Sequence, residues 1–231
     1  MVKIQGGGYG SVFELLDAKS FAALLRRGEK TPEEIAGMSV RLLQLIHSRE
    51  VQSDILPDMK AIALDWAAFL QSHLPKETAE KLYALISAVP AANNLLHGDY
   101  HIKNIMLQDG ESLLIDMDTL CHGHPIFELG SMYNAYAGFG LVRPERVEEF
   151  MGLPYDTCRQ LWRSSLALYL GSQDEKIINE TEEKARIIGL TRLMRREILR
   201  DGMNREEGRQ MIEACRAALE EMVSHTDTLV F

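Results

Sequence analysis

The chain predicts a mostly helical α+β domain wrapped around a small central β-hairpin, and three observations carry that expectation. Apolar residues recur at helical spacing along most of the 231 residues. The period shortens to two only in the middle, around Leu95–His97, Asn104–Leu107 and Ser112–Ile115. The dipeptide Asp109-Gly110 between the last two runs tolerates the positive φ that a tight hairpin turn needs. Composition agrees, since 46% hydrophobic and 26% charged residues is the balance of an ordinary globular chain. No run of 18 apolar residues offers a membrane-spanning helix. Met1–Gly10 lacks the apolar stretch of a signal peptide. A net charge of −9 argues against general affinity for nucleic acid or an anionic membrane. Cys121, Cys158 and Cys215 are too few and too scattered for a disulfide framework or a cysteine zinc site. A cytoplasmic protein is the expectation.

The elements follow in order. Gly6–Gly10 reads as a turn and Ser11–Leu16 as a strand, after which helices take over from about Asp17–Arg27. Thr31-Pro32-Glu33-Glu34 is a helix start, with a capping hydroxyl, proline at the first helical position, and acids on the positive end of the dipole. Ile35, Met38, Leu42, Leu45 and Ile46 then form one stripe. Asp58 caps a helix to about Leu70, and another spans Lys76–Ala88. Beyond Pro125 the helices are Ile126–Phe139, Tyr155–Leu170, Glu175–Arg200 and Asn204–Val223, the last with Asn204 as cap. Cys158 and Cys215 fall on the apolar faces of two of these, which makes them packed core thiols.

Chemistry concentrates at the hairpin. His97-Gly98-Asp99-Tyr100-His101-Ile102-Lys103-Asn104 precedes its first strand, and Asp116-Met117-Asp118 follows its second. A hairpin returns its two ends to one place, so Asp99, Asn104 and Asp116 should converge. Oxygen-rich side chains meeting at one point suit a hard cation such as Mg²⁺. A carboxylate left free of the metal could orient and deprotonate an attacking hydroxyl, the division of labour that phosphoryl transfer needs. The interval from Asp99 to Asn104 is that of the protein-kinase catalytic loop, and a metal-binding Asp after the next hairpin strand is also the kinase order.

HGDYHIKN followed by LLIDMD resembles the HGDxHxxN and IDxxD signatures of the aminoglycoside phosphotransferase and choline kinase-like superfamily. GHPIFELGSM resembles the segment that follows the metal-binding Asp there. The resemblance implies a protein kinase-like C-terminal lobe, ATP and Mg²⁺ as cofactors, and transfer of the γ-phosphoryl group to a hydroxyl of a small molecule. On the matching positions, Asp99 would be the base, His97 would support the loop, and Asn104 and Asp116 would be metal ligands; Asp118 could reach a second metal or only cap a turn. His101 stands where protein kinases place a lysine, which favours the small-molecule branch.

The N-terminal segment is read through the same resemblance. GGGYGSV fits a glycine-rich flap, yet no lysine follows on a neighbouring strand, so YGSVFELLDAKSF is better matched to the last small-lobe strand and the hinge. Residues 1–16 would then be a remnant of the small lobe, and residues 17–231 the large lobe, with the catalytic loop at 97–104 and the metal segment at 116–118. Phe13, Glu14, Leu15 and Leu16 would offer backbone groups to adenine. With the rest of the small lobe absent, the exposed strand at 11–15 would invite self-association, and ATP binding and activity of the chain alone would be weak. The rival reading is a catalytically silent remnant or binding module. A metal-dependent hydrolase using the same carboxylates is a third, though nothing in its chemistry calls for the Asp-to-Asn interval.

Other residues carry less. His97, His101, His122 and His124 lack the spacing of a transition-metal site and read as hydrogen-bonding loop histidines. Glu180, Glu182 and Glu183 could attract a cationic acceptor such as an amino sugar or choline, although an acidic helix face is more often simply solvated. Arg192, Arg195, Arg196 and Arg200 form a basic stripe whose expected use is surface ion pairing.

Overall fold

In the computed structural model, residues 2–4, 8–10, 17–52 and 54–231 are described. The first two of these segments form an antiparallel hairpin, with β1 (Val2–Ile4) paired to β2 (Gly8–Gly10), so the glycine-rich stretch is part strand and not only a turn. β3 (Lys19–Ser20) and α1 (Phe21–Arg26) come next. The first helix is shorter than its expected span from Asp17. Lys19 and Ser20 are drawn into pairing with Leu107 and Met106, and the Ser20 hydroxyl caps the helix by accepting from the Ala23 N–H.

α2 (Pro32–His47) begins as its residues dictate: Thr31 accepts from the Glu34 N–H, and the Glu34 carboxylate accepts in return from the Thr31 N–H. α3 (Met59–Leu70) is capped by Asp58, and α4 (Lys76–Ala88) follows. β4 (Leu95–Leu96) leads into the loop His97–Asn104, and the central hairpin is β5 (Ile105–Gln108) with β6 (Glu111–Leu114). Its turn residues Asp109 and Gly110 have φ of 50° and 84°, the left-handed geometry expected of this dipeptide. β3 lies along the outer edge of β5, and β7 (Cys121–His122) pairs with β4.

The rest is helical: α5 (Ile126–Tyr136), α6 (Glu145–Met151), α7 (Tyr155–Leu170), α8 (Glu175–Leu199) and α9 (Glu206–His225). α5 stops short of Phe139 and tightens into a 3-10 turn at Gly138–Gly140. Asn204 does not cap α9; it sits in the 3-10 turn Gly202–Asn204, where its side-chain amide donates to Asp201 Oδ1. α6 was not anticipated from the pattern, since a seven-residue helix between Pro144 and Gly152 offers too few turns to display a period.

α5 and α8 cross at the centre of the molecule. The crossing is possible because Gly130 and Gly189 face each other. A Cβ on Gly130 would lie 2.5 Å from Ile188 Cγ2, and one on Gly189 would lie 2.7 Å from the Gly130 carbonyl oxygen. Around this crossing the core gathers Trp162, Tyr100, Tyr136, Leu161 and Leu166, all almost wholly buried. No helix among the described residues is long and apolar enough to cross a membrane.

The three cysteines are free and buried. Desolvation pushes the thiols of Cys121 and Cys158 up to about 12, and that of Cys215 higher still. None should therefore react with iodoacetamide in the native protein at about pH 8, while denaturant should expose all three. Mass spectrometry of the alkylated chain checks this, and rapid labelling of any one before unfolding would contradict its placement.

Candidate active site

The loop between β4 and β5 is held from below by one buried carboxylate. Glu128, in the first turn of α5, accepts the backbone N–H groups of His97, Gly98 and Tyr100, with the Gly98 donor shared between both oxygens at 3.1 Å. Burial pushes this carboxyl above its usual range, whereas the three N–H donors and the neighbouring His97 pull the other way. Gly98 is needed at the turn: its φ is +81°, and a Cβ there would collide with the Thr119 carbonyl.

His97 is wholly buried and bridges the two ends of the hairpin. Its Nδ1 accepts from the Asp99 N–H at 3.3 Å, which leaves Nε2 to donate to the Ile115 carbonyl at 3.0 Å. The supporting part expected of it is thus a positioning one, carried by backbone contacts. Asn104 closes the loop from the other side, with its side-chain amide donating to the Asp99 carbonyl at 3.0 Å. Its Oδ1 is left with no donor among the described residues.

Hairpin register brings Asn104 to Asp116. Ile105 pairs with Leu114, and the Ile115 N–H donates to the Asn104 carbonyl at 3.0 Å, so Asp116 emerges beside Asn104. Asp116 has φ 60° and ψ 58°, a left-handed conformation that L residues other than Asn and Asp rarely adopt. Asp118 follows in the 3-10 turn Met117–Thr119. Both carboxylates are exposed and make no side-chain hydrogen bond or ion pair among the described residues. Among those residues no group of three His, Cys, Asp or Glu side chains is gathered as a metal site. The donors at hand are instead an amide oxygen and carboxylates with open coordination, all hard oxygen, which fits Mg²⁺ completed by phosphate and water.

Asp99 lines a cavity of about 220 Å³ whose wall includes neither Asp116 nor Asp118. Burial raises its carboxyl, but the His101 imidazole at 3.5 Å and the charges of Arg192 and His97 outweigh that and hold it below the usual carboxylate range. His101 is itself buried, edge-on to Phe150 at 5.1 Å. The opposite wall belongs to α8. Arg192 donates to the Gly98 carbonyl at 2.9 Å and to Ser131 Oγ at 2.8 Å, and Arg196 and Arg200 continue the same face. This corrects the expected surface role of the arginine stripe, three of whose members line the Asp99 cavity.

Four of the residues nominated from sequence around the hairpin, His97, Asp99, Asn104 and Asp116, are brought together, with Asp118 one turn beyond. Phe13, Glu14, Leu15 and Leu16, nominated for adenine, lie outside the described residues. Glu128, Ser131 and Arg192 were missed as site residues. A lone acid in the otherwise apolar start of α5 was the available signal for Glu128. For Arg192 there was only the stripe itself.

The phosphotransferase enzyme family (APH) matches residues 5–152, and the chain belongs to that family. The fold is that of kinase-like structures. A Plasmodium vivax ethanolamine kinase superposes with a TM-score of 0.53 at 16% identity, over 90% of this chain and 63% of that one. This chain thus spans less than two thirds of the length of that kinase. Two glucosamine kinase structures align more loosely. One has a TM-score of 0.36 at 14% identity, over 93% of this chain and 60% of the other. The second, in complex with glucosamine, ADP and inorganic phosphate, has 0.35 at 13%, over 91% and 62%. The comparison with curated proteins returns no significant match.

Proposed function

We propose that the protein transfers the γ-phosphoryl group of ATP, bound with Mg²⁺, to a hydroxyl of a small molecule. The observation that carries this reading is the split of oxygen donors around one loop. Asn104 and Asp116 stand together by hairpin register, while Asp99, five residues before Asn104, lines a cavity whose wall includes neither of them. Membership of a phosphotransferase family supports it. Mg²⁺ held by Asn104 and Asp116, with Asp118 within reach of a second position, would supply charge neutralisation for the phosphates.

The chain's own residues do the positioning. Asp99 accepts a hydrogen bond from the acceptor hydroxyl and aligns its oxygen. Because the carboxyl is held acidic, its contribution lies more in orientation than in strong proton abstraction. Glu128 and His97 fix the backbone that carries Asp99, and Arg192 ties that backbone to α8.

Calorimetric titration with ATP tests the metal half of the reading. Wild-type protein should bind ATP at least about tenfold more tightly with Mg²⁺ than with EDTA, since triphosphate and carboxylates repel each other unscreened. Asp116→Ala should abolish that difference. Equal affinity with and without Mg²⁺ in the wild type would remove Asn104 and Asp116 from metal binding.

A further inference from the structure

The Asp99 cavity carries the wrong charge for an amine and an excess of charge for a plain sugar. One acid, Asp99, shares the cavity with three arginines spaced four residues apart, Arg192 and Arg196 on α8 and Arg200 just beyond its end, within a chain whose net charge is −9. The arginines differ in what they already hold. Arg192 is spent on Gly98 and Ser131. Arg196 lies over the Phe139 ring at 4.7 Å. Its buried Nε has no hydrogen-bond partner, and the nearest carboxylate, that of Glu197, is 3.9 Å away. Arg200 is exposed and has no side-chain hydrogen bond or ion pair among the described residues.

The contrast with the adjoining pocket is informative. That larger space, about 610 Å³, shares Phe139, Phe150, Leu193, Arg196 and Arg200 with the Asp99 cavity. Its other arginines are neutralised: Arg143 and Arg146 both pair with Glu207, and Arg205 pairs with Glu197 at 3.2 Å. Among the described residues of the two spaces, positive charge is left over on the stretch that approaches Asp99. Burial and the neighbouring Arg200 charge lower the proton affinity of Arg196, a strain that a bound anion would relieve.

We propose that the acceptor carries, besides the hydroxyl presented to Asp99, a carboxylate or phosphate group held by Arg196 and Arg200. This rests on the phosphotransferase reading above and names its substrate class as a hydroxy acid or a phosphorylated polyol. A guanidinium pair binds either oxyanion through charge-assisted hydrogen bonds. The volume is below the ~300 Å³ at which pockets for drug-sized ligands begin, which suits an acceptor no larger than one sugar. The acids that might have drawn a cation are elsewhere and occupied. Glu182 is held by Arg159 and Arg163, and Glu183 by His225 and Thr226. The nucleotide phosphates would be a second source of oxyanion, but Asn104, Asp116 and Asp118 are not among the residues that line this cavity.

Binding measured without nucleotide or metal decides the matter independently of turnover. The probes are inorganic phosphate, D-glycerate, D-gluconate and D-glucose 6-phosphate, set against D-glucose and D-glucosamine. At least one of the acidic probes should bind about tenfold or more tightly than either of the last two, with affinity falling as salt rises. Arg200→Gln and Arg196→Gln should each erase that preference. Arg200 is exposed, so its variant should keep the wild-type melting temperature. Glucose or glucosamine binding as well as every acidic probe, or no acidic probe binding at millimolar concentration, would overturn the proposal. So would a loss confined to Mg·ATP affinity in the arginine variants, which would assign the arginines to the nucleotide. Arginine-dependent binding of the acids with no transfer from ATP to any of them would sustain the anion site and fell the phosphotransferase reading.

Discussion

Asp99→Asn should lower kcat by roughly 10²–10⁴ while leaving the affinity for Mg·ATP within about twofold of wild type. The asparagine amide keeps the size of the side chain and can still accept through one oxygen. It loses the negative charge that His101, at 3.5 Å, and Arg192 now surround. It also loses the ability to take a proton as the acceptor oxygen attacks. On the proposed reading both losses should fall on the acceptor hydroxyl and not on metal binding, because Asp99 lines the cavity and Asn104 and Asp116 do not. Folding should survive, since this side chain is 40% exposed and spends no side-chain hydrogen bond on the backbone. The wild-type rate, for its part, should show no acid limb from Asp99 above about pH 5, as the carboxyl is held below its usual range. Steady-state kinetics with a transferable acceptor measures all of this. A variant that keeps more than half of the wild-type kcat would exclude Asp99 from the chemistry.

What could be read from the sequence was local. The Asp99-to-Asn104 interval, the hairpin turn at Asp109-Gly110 and the caps at Thr31 and Asp58 each depend on residues a few positions apart, and each appears in the structure as a hydrogen bond or a positive φ. Convergence of Asn104 with Asp116 was also accessible, because hairpin pairing converts sequence spacing into contact. Partners supplied from far along the chain were not accessible. Arg192 reaches the Gly98 carbonyl across 94 positions, and no periodicity in α8 says which face will meet the loop. The arginine stripe therefore looked like solvent-facing charge, whereas the crossing at Gly130 and Gly189 turns it toward Asp99. Short elements failed for a different reason. α6 and the 3-10 turns at Gly138–Gly140 and Gly202–Asn204 are set by tertiary packing around glycines, not by any repeat.

Glu128→Ala should cost about 3–5 kcal/mol of folding stability, more than any change at the exposed carboxylates Asp116 and Asp118. The carboxylate is the common acceptor for the N–H groups of His97, Gly98 and Tyr100, and the side chain is fully buried, so no water can take over those donors. Removing it orphans three backbone donors and leaves a void beneath the loop. Glu128→Gln separates charge from shape: its amide oxygen can still accept, but its NH₂ group must then face another N–H, so a loss of about 2 kcal/mol or more should remain. Urea unfolding followed by circular dichroism gives both values. The loop should loosen locally before the whole chain unfolds, because Gly98 at φ +81° is held in place by these bonds together with those from Ser131 and Arg192 to its carbonyl. Amide hydrogen exchange at Gly98 and Tyr100 in the glutamine variant would register that loosening. Wild-type protection at both positions, with less than about 1 kcal/mol lost in Glu128→Ala, would mean that the loop is held by the hairpin alone.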